Sequence, residues 1–291
     1  MKVVRLIGGL GNQMFQYALF LSLKNAFPLE EVYVDKTLYN SYHLHNGLEL
    51  ERVFHLTLPQ APIPKLRKIC WYSSHYRITN IFRRILPTRK AECYEPADYS
   101  IDETVLKQAG DRVFFGYWQC SKYFSNVSEI VRLAFRFSDF EDQKNLDMSK
   151  TIANAGESVS IHIRRGDYLK SELYAGLCDL DYYRKAIEHI CANRQNPQFF
   201  IFSDDIPFCR EHIIPFIKNN TVTFVDFNKG CNSFRDMHLM SLCRDNIIAN
   251  SSFSWWAAYL NMHEDKIVCA PEKWVNLPLK YRVQQPEWSL F

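Results

Sequence analysis

The chain has 291 residues, of which 47% are hydrophobic and 23% are charged, the proportions of an ordinary globular protein. This length exceeds what a single hydrophobic centre usually supports, so two lobes are expected. The formal net charge is only +3, and the Lys and Arg residues form short runs. A nucleic-acid-binding protein normally carries a stronger and more clustered basic excess, so this class is excluded.

The short basic runs at 65–68, 83–84 and 89–90 are expected to be solvated helix faces. The alternative is a weakly electropositive surface that meets an anionic lipid or a lipid-diphosphate acceptor, as peripheral membrane association would require. The nine cysteines are irregularly spaced and form no CxxC pair, which favours reduced thiols over disulfides or a zinc site. Without a leader or a run of about 20 apolar residues, we expect a cytoplasmic protein, or one at the inner face of the membrane.

The first half of the chain shows an irregular series of elements. Strands are predicted at 3–7, 31–35 and 113–118, and helices at 13–25 and 65–85 and through about residue 135. The polar, acidic stretch 138–150 has no apolar period, which indicates a boundary between lobes. The predicted domains are therefore an N-terminal lobe, residues 1–145, and a C-terminal lobe, residues 146–291.

The second half alternates short apolar runs with segments of helical spacing. Strands are predicted at 159–163, 199–202, 222–225, 246–249 and 266–270, and helices at 181–191, 207–217, 233–243 and 251–260. This alternation is typical of an α/β lobe, Rossmann-like, with helices on both faces of a parallel sheet. Ligands are expected at the carboxyl ends of its strands.

The strongest functional signal is segment 159–167, where a buried strand leads into a turn that carries His162, Arg164 and Asp167. Arg suits a diphosphate because its planar guanidinium makes two parallel charge-assisted hydrogen bonds and stays charged at any working pH. Alternation puts His162 and Arg164 on one face of the strand, where polar side chains are costly unless they serve a ligand or each other. The alternative is structural, with Arg164 paired to Asp167 to close the turn.

A second signal lies at 250–256, where a strand ends in a hydroxyl-rich corner and a helix begins. The backbone N–H groups of a helix start, together with Ser251 and Ser252, form a cradle for a phosphate. The alternative is ordinary N-capping by serine. The glycines at 8, 9 and 11 suggest a dinucleotide fingerprint, but Met14 stands where its third glycine belongs, so a nicotinamide enzyme is not expected.

Two acidic pairs have competing interpretations. Asp179 and Asp181 have the DxD form with which many sugar transferases hold a divalent ion, but Asp181 is predicted to be a helix N-cap. Hard cations need more convergent oxygen ligands than this pair offers, so no metal site is expected. Asp204 and Asp205 end a predicted strand, and both ligand binding and capping of the next helix remain open for them.

Four segments, in this order, resemble glycosyltransferase family 11, the α-1,2-fucosyltransferases, in their bacterial form. They are 8–18 (GGLGNQMFQYA), 160–168 (SIHIRRGDY), 200–205 (FIFSDD) and 250–261 (NSSFSWWAAYLN), and the likeness covers nearly the whole chain. The resemblance implies a GT-B architecture of two lobes, in which the N-terminal lobe binds the acceptor and the C-terminal lobe binds GDP-fucose. The His-x-Arg-Arg-x-Asp element is also similar to α-1,6- and protein O-fucosyltransferases, which remain alternatives.

The resemblance also implies roles in donor binding. Arg164 matches an Arg that grips the donor β-phosphate, and His162 matches a residue near the guanine. Asp236 matches a carboxylate that pairs with the guanine N1–H and exocyclic amine. Ser251, Ser252 and Phe253 match the donor-binding corner.

The resemblance also implies a residue near the donor sugar and one of two candidates for the general base. Asn12 lies where the N-terminal loop of relatives approaches the sugar. Asp167 is a candidate base because it lies on the turn of Arg164, and Glu172 because its offset from His162 matches a base proposed in the α-1,6 relatives. A water relay is the alternative.

The implied reaction is an inverting transfer of L-fucose from GDP-fucose to the 2-hydroxyl of a galactoside. A guanidinium and helix-start N–H groups can stabilise the leaving diphosphate, so neither a metal nor a cofactor is expected. The expected acceptor is a galactose-terminated glycan or a lipid-linked oligosaccharide of a bacterial surface polysaccharide. The rival from another class is a non-catalytic GDP- or glycan-binding module.

Overall fold

The computed structural model describes residues 1–98, 100–166 and 171–291 of the chain. The chain divides into two compact units, Met1–Phe137 and Ser138–Phe291, and each unit has its own parallel β-sheet. No helix within the described ranges is both long enough and apolar enough to cross a membrane.

The N-terminal unit contains a four-stranded sheet and five α-helices. Its strands are β1 (Lys2–Arg5), β2 (Val32–Asp35), β3 (Glu92–Tyr94) and β4 (Arg112–Phe115). Its helices are α1 (Leu10–Ala26), α2 (Leu50–Phe54), α3 (Ile63–Ile69), α4 (Tyr76–Ile85) and α5 (Ser128–Ala134). The strand order is β2-β1-β4-β3, and all three pairs are parallel.

Helix α1 is buried along most of its length, and two buried glutamines on it hold the surrounding loops. Gln13 donates hydrogen bonds to the carbonyls of Gly8 and Gly47 and accepts one from the N–H of Glu49. Gln16 makes equivalent bonds to the loops that follow β1 and β4. Because a buried amide is costly without partners, these bonds fix where the loops pass over the helix.

The C-terminal unit contains a six-stranded sheet. Its strands are β5 (Ser158–Ile163), β6 (Gln198–Ser203), β7 (Val222–Val225), β8 (Asp245–Ile247), β9 (Val268–Ala270) and β10 (Ser289–Leu290). Its helices are α6 (Gln143–Asn154), α7 (Leu180–Asn193), α8 (Ile206–Phe208), α9 (Ile214–Ile217), α10 (Phe234–Leu242) and α11 (Ser252–Leu260), with a π-helical turn between α8 and α9. The strand order is β10-β9-β8-β5-β6-β7, and every pair is parallel.

The core of this unit lies on both faces of β5. All six residues of the strand are buried, as is usual for a strand in a parallel sheet that is covered on both faces. One face packs Val159, Ile161 and Ile163 against α7 and the π-helical turn. On the other face, Ser160 accepts a hydrogen bond from Asn246, which also donates to the carbonyl of Met240 on α10.

The predictions for the second half are confirmed, because its five predicted strands and four helical segments all occur. The α/β prediction, with a parallel sheet, is also confirmed for this half. The first half is more regular than predicted. It also forms an all-parallel sheet, and the short strand β3 was missed because three residues are too few for a periodicity.

The predicted boundary at 145/146 differs from the boundary between the two units at 137/138. The polar stretch read as a boundary is helix α6, which begins at the N-cap Asp142. Two reciprocal hydrogen bonds between Asn145 and Asn228, at 2.9 and 2.8 Å, tie this helix to the C-terminal unit. A helix whose contacts are mainly polar gives no apolar period in the sequence.

The predicted helix 65–85 is wrong, because the structure breaks it into α3 and α4. Side chains distant in sequence bind the backbone at the break. Glu92 accepts from the N–H of Trp71 at 2.7 Å, and Ser41 Oγ accepts from the N–H of Tyr76 at 2.9 Å. These tertiary hydrogen bonds replace helical ones, which local propensity does not anticipate.

Candidate functional site

Polar residues of the C-terminal unit collect where its parallel strands end. In the register of β5 and β6, Ile163 lies beside Ser203, so Arg164 and Asp204 follow at the same edge of the sheet. Strand β8, on the other side of β5, leads to Ser251 at this edge. The carboxyl edge of a parallel sheet is where ligands commonly bind in α/β folds.

Arg164 lies at this edge beside a carboxylate from the neighbouring strand. Its Nη1 is 3.6 Å from Asp204 Oδ2, and both side chains are about one-third exposed, at 35% and 31%. Asp204 Oδ1 also accepts from the N–H of Arg165 at 3.0 Å. Asp204 therefore orients the Arg164 guanidinium while leaving much of it open to solvent.

Arg165 and Asp205 form a separate structural pair. Arg165 Nε donates to Asp205 Oδ2 at 3.0 Å, and its guanidinium lies 3.5 Å from the ring centroid of Phe208. Asp205 Oδ1 caps helix α8 by accepting from the N–H of Phe208. Of the two roles left open for the acidic pair, Asp205 takes the cap, and Asp204 takes a contact to the arginines.

His162 is buried on β5 immediately before this edge, with 8% of its surface exposed. Burial, followed by the positive charge of Arg164, lowers the pKa of His162 to about 3, so the imidazole is neutral at neutral pH. Its ring centroid is 5.8 Å from that of Phe253. Nδ1 is buried and has no hydrogen-bond partner among the residues described. The structure therefore places His162 near both Arg164 and Phe253, while the donor-binding roles predicted for them stay predictions.

The corner at 250–254 shows the N-capping interpretation, and the phosphate cradle stays a prediction. Ser251 is the N-cap of α11, and its hydroxyl accepts from the N–H of Phe253 at 3.3 Å. Ser252 begins the helix and is partly exposed. The positive end of the helix dipole thus lies at the carboxyl edge of the sheet, next to the ring pair of His162 and Phe253.

Asp236 lies in the first turn of α10 and is held by an amide network. Asn228 Nδ2 donates to Asp236 Oδ1 at 2.8 Å, and Asn228 is itself bonded twice to Asn145. Burial raises the pKa of Asp236 to about 7, although the hydrogen bond from Asn228 opposes the shift. This carboxyl is therefore poised between its two protonation states near neutral pH.

The amide partners of Asp236 were missed by sequence reasoning. Asn228 follows β7 at the carboxyl edge, and a polar residue at this position is a signal for a functional site. Asn145 gave no signal, because it lies in the stretch that was read as a boundary. Its role depends on a contact 83 positions along the chain.

Asn12 lies in the first turn of α1, in the N-terminal unit. Its Oδ1 accepts from Gln119 Nε2 at 2.7 Å. Gly8 packs against it at φ +93°, and a Cβ there would lie 2.8 Å from Asn12 Nδ2. This explains the glycine at position 8, since the turn needs both a left-handed conformation and a close approach to Asn12.

The structure tests neither of the two candidate bases. Asp167 lies outside the described residues, so its predicted pairing with Arg164 is likewise outside them. Glu172 is exposed, and its backbone carbonyl accepts from Asn276 Nδ2 at 2.8 Å. Both assignments stay predictions.

The prediction that Asp181 caps a helix is wrong, because the N-cap lies two residues earlier. Asp179 is the N-cap of α7 and accepts from the N–H of Tyr182 at 2.9 Å. Asp181 is exposed and forms ion pairs with Arg184 and Lys185. Among the residues described, no cluster of three or more His, Cys, Asp or Glu side chains is arranged to hold a metal ion.

Comparison with known proteins adds to this geometry. The family model for glycosyl transferase family 11 matches residues 98–290. The chain is 34% identical to an α-1,2-colitosyltransferase of Escherichia coli over 94% of this chain and 91% of the relative. It is 31% identical to the Escherichia coli O-antigen biosynthesis glycosyltransferase WbnK over 97% of this chain and 98% of the relative.

Among solved structures, an Arabidopsis thaliana FUT1 mutant in complex with GDP resembles the chain with a TM-score of 0.51 at 13% identity. The match covers 94% of this chain and 71% of the other. This likeness bears on the fold alone, and it supports the predicted GT-B-like α/β class. The sequence matches confirm the predicted family: the chain belongs to glycosyl transferase family 11 and is a glycosyltransferase.

Proposed function

We propose that the chain transfers L-fucose from GDP-fucose to the 2-hydroxyl of a galactoside, with inversion and without a metal ion. The observation that carries this proposal is the group at the carboxyl edge of the C-terminal sheet. It joins an oriented, partly exposed guanidinium (Arg164), a neutral buried imidazole (His162) and the positive end of helix α11. Such a group suits a nucleoside diphosphate, whose charge it meets with fixed donors.

The names of the relatives support the linkage and leave one choice of donor open. The match to a relative named an α-1,2-colitosyltransferase supports an α-1,2-linked product. Colitose is fucose without its 3-hydroxyl, so both donors present the same 6-deoxy-L-sugar ring. Fucose is our choice because the four segments of the sequence resemble fucosyltransferases, and colitose is the rival that the donor assay must test.

The mechanism is a single displacement. The acceptor oxygen forms a bond to the anomeric carbon of the β-linked donor sugar while the bond from that carbon to the β-phosphate oxygen breaks. Negative charge accumulates on the departing GDP, and Arg164 donates two hydrogen bonds to it. Donors fixed before the reaction stabilise this charge without reorganisation, which is why no metal is required in the proposal.

The proton of the acceptor hydroxyl passes to a base as the new bond forms. Asp167 and Glu172 are the proposed candidates, and a water relay to GDP is the alternative. His162 is a poor base for this step, because burial lowers its pKa to about 3. We assign it to the donor instead, with its unpartnered Nδ1 toward the nucleotide.

Guanine is assigned to Asp236. An ionised carboxylate accepts from the guanine N1–H and exocyclic amine together, which adenine does not offer. The network through Asn228 and Asn145 holds this carboxylate in one orientation. Ser251, Ser252 and Phe253 form the remaining donor corner, and Asn12 is proposed near the sugar.

The proposed acceptor is a galactose-terminated glycan or lipid-linked oligosaccharide of a bacterial surface polysaccharide. A relative named for O-antigen biosynthesis supports this class. Such an acceptor would be met by a cytoplasmic enzyme at the inner face of the membrane.

We also propose that helix α4 associates with an anionic membrane surface. Ile78, Ile81 and Ile85 are 41%, 52% and 70% exposed, and their spacing places them on one side of the helix. Arg77 and Arg84 flank them and are also exposed. Exposed apolar side chains bordered by cations suit a surface of anionic headgroups above acyl chains.

The first test incubates the purified protein with EDTA, a panel of β-galactosides, and either GDP-fucose or GDP-colitose. Release of GDP together with a 2-O-fucosylated product is the expected result. A 6-O-linked product would replace the proposed linkage, and preference for GDP-colitose would replace the proposed donor. Transfer that appears only after Mg²⁺ or Mn²⁺ is added would contradict metal independence.

The second prediction concerns Arg164. Arg164→Ala should lower turnover at least about a hundredfold, because one preorganised donor to the leaving group is lost. Arg164→Lys should fail similarly, since an ammonium does not reproduce the two-pronged guanidinium. Steady-state rates of GDP release measure both effects.

Arg184→Ala is the matched control, because Arg184 is an exposed arginine whose ion pairs lie on helix α7. Its turnover should stay close to that of the parent chain. Near-normal turnover in Arg164→Ala, with an unchanged melting temperature, would contradict the proposal that Arg164 binds the diphosphate.

The third prediction concerns pH. GDP is proposed to bind the ionised form of Asp236, and the pKa of this group is raised to about 7 in the free protein. The affinity should therefore rise as the pH increases through about 7 and then level off. Asp236→Asn should weaken binding and remove this rise, as calorimetry can show.

The GDP phosphates titrate in the same way with the parent chain and with Asp236→Asn. The difference between the two pH profiles therefore reports the titration of the Asp236 carboxyl. Arg164→Ala serves as a second control, since it should weaken binding without removing the pH dependence. Parallel profiles for the parent chain and Asp236→Asn would assign the guanine elsewhere.

The fourth prediction concerns the membrane. The protein should sediment with vesicles that mix phosphatidylglycerol and phosphatidylcholine, and less with phosphatidylcholine alone or at high salt. Ile81→Glu should reduce sedimentation, because it places a charge on the apolar side of α4. Leu133→Glu is the control, since Leu133 is an exposed apolar residue of α5. Equal binding by both variants would contradict a role for α4.

A further inference from the structure

The N-terminal unit contains a cavity of about 270 Å³ at the carboxyl edge of its own sheet. Its walls come from the residues that follow β1, β3 and β4, and from the inner side of helix α4. The lining includes the charged or polar residues Arg5, Asn80 and Glu95. This is the edge at which a parallel sheet places ligands.

Glu95 follows β3, and the loop after β4 is bent around its carboxylate. Its Oε2 accepts from the N–H of Tyr117 at 2.7 Å, and its Oε1 accepts from the N–H of Gln119 at 3.2 Å. At Gly116 a Cβ would lie only 2.4 Å from Glu95 Cβ, and Trp118 has a φ of +58°. Such a strained loop persists only where the surrounding contacts over-determine it, and it fixes the carboxyl at the cavity wall.

The protonation of Glu95 is adjustable. Burial raises the pKa of Glu95 to about 7, although the backbone N–H donors of the loop oppose this shift. A carboxyl of this kind can accept a hydrogen bond from a ligand hydroxyl or donate one to it.

Arg5 supplies a buried donor in the same wall. Its side chain is 2% exposed, and Nε lies 3.0 Å from Asp35 Oδ2. Its Nη1 is buried and has no hydrogen-bond partner among the residues described. An unsatisfied buried guanidinium nitrogen is costly, so a ligand oxygen at this position would remove that cost.

The remaining wall is largely aromatic. Tyr94 stacks on Phe115 with centroids 4.9 Å apart, and Trp71, Tyr76 and Tyr117 also line the space. A pyranose presents C–H groups to aromatic rings and hydroxyls to charged side chains, so it matches both kinds of wall. Arg5, Arg83 and Glu95 give the wall charges of both signs, which suits hydroxyls that both donate and accept hydrogen bonds. The cavity has room for one sugar ring.

We infer that this cavity binds one neutral pyranose of the acceptor glycan, with Glu95 and Arg5 hydrogen-bonded to its hydroxyls. The inference rests on the proposed function and names the residues that select the acceptor. Neither residue is assigned a part in the chemical step.

The test fills the cavity without touching its charged groups. Ala97 lines the cavity and is exposed, so Ala97→Trp should occupy the space without disturbing the core. The matched control is Ala109→Trp, at an exposed alanine of the same unit outside the lining. Ala97→Trp should raise the KM for the galactoside about tenfold, as loss of one or two hydrogen bonds would. The KM for the donor and the affinity for GDP should stay unchanged.

A second variant probes recognition. Asn80→Leu removes a polar group of α4 from the lining and should raise the same KM several-fold, again without an effect on GDP affinity. If transfer proceeds and both variants keep the acceptor KM of Ala109→Trp, the inference is overturned while the proposed function stands.

A direct binding measurement separates the two failures. If neither the parent chain nor any variant transfers a sugar, the proposed function is wrong. Saturation-transfer NMR with methyl β-galactoside, in the presence of GDP, then decides the cavity. A signal in the parent chain and in Ala109→Trp that disappears in Ala97→Trp supports the cavity as a sugar site. No signal in the parent chain, or an equal signal in all three, overturns it.

Discussion

The full burial of strand β5 is the constraint on which the rest of the C-terminal unit depends. A strand that is covered on both faces and paired on both edges leaves no room for a charge until it ends. The chain therefore places its arginines directly after Ile163, where β6 and β8 also deliver polar residues. Because the core excludes charges, the polar groups of the candidate site lie together at a single edge of the sheet.

The arginines at that edge have different tasks because their partners differ. Arg165 is bound to Asp205 and packed on Phe208, so it stabilises the start of α8. Arg164 meets Asp204 at 3.6 Å with both groups partly exposed. An ion pair of that kind contributes only about 0–1 kcal/mol. In the proposed function, the diphosphate would therefore displace Asp204 from the guanidinium at little cost, and Asp204 orients the guanidinium before the donor binds.

Burial sets the protonation of three groups, which lie on β5, in the first turn of α10 and directly after β3. It keeps His162 neutral and leaves Asp236 and Glu95 near the midpoint of their titration at neutral pH. Each of these groups, an imidazole or a carboxyl, can form hydrogen bonds with the donors and acceptors of a ligand that carries no net charge. In the proposed function, the guanidinium of Arg164 supplies positive charge to the diphosphate.

The sequence by itself determined the features that depend on neighbours along the chain. The apolar run of β5, the arginines that follow it and the serine-rich start of α11 are local patterns. They were enough to predict the parallel sheet and, together with segments 8–18 and 200–205, the family. Only the tertiary structure decided which groups meet across the chain. Ser41 and Glu92 break the helix predicted at 65–85, Asn145 and Asn228 position Asp236, and Glu95 shapes the loop after β4. The physical reason is that a hydrogen bond between distant residues leaves no period or spacing in the sequence, whereas burial of a strand or helix does.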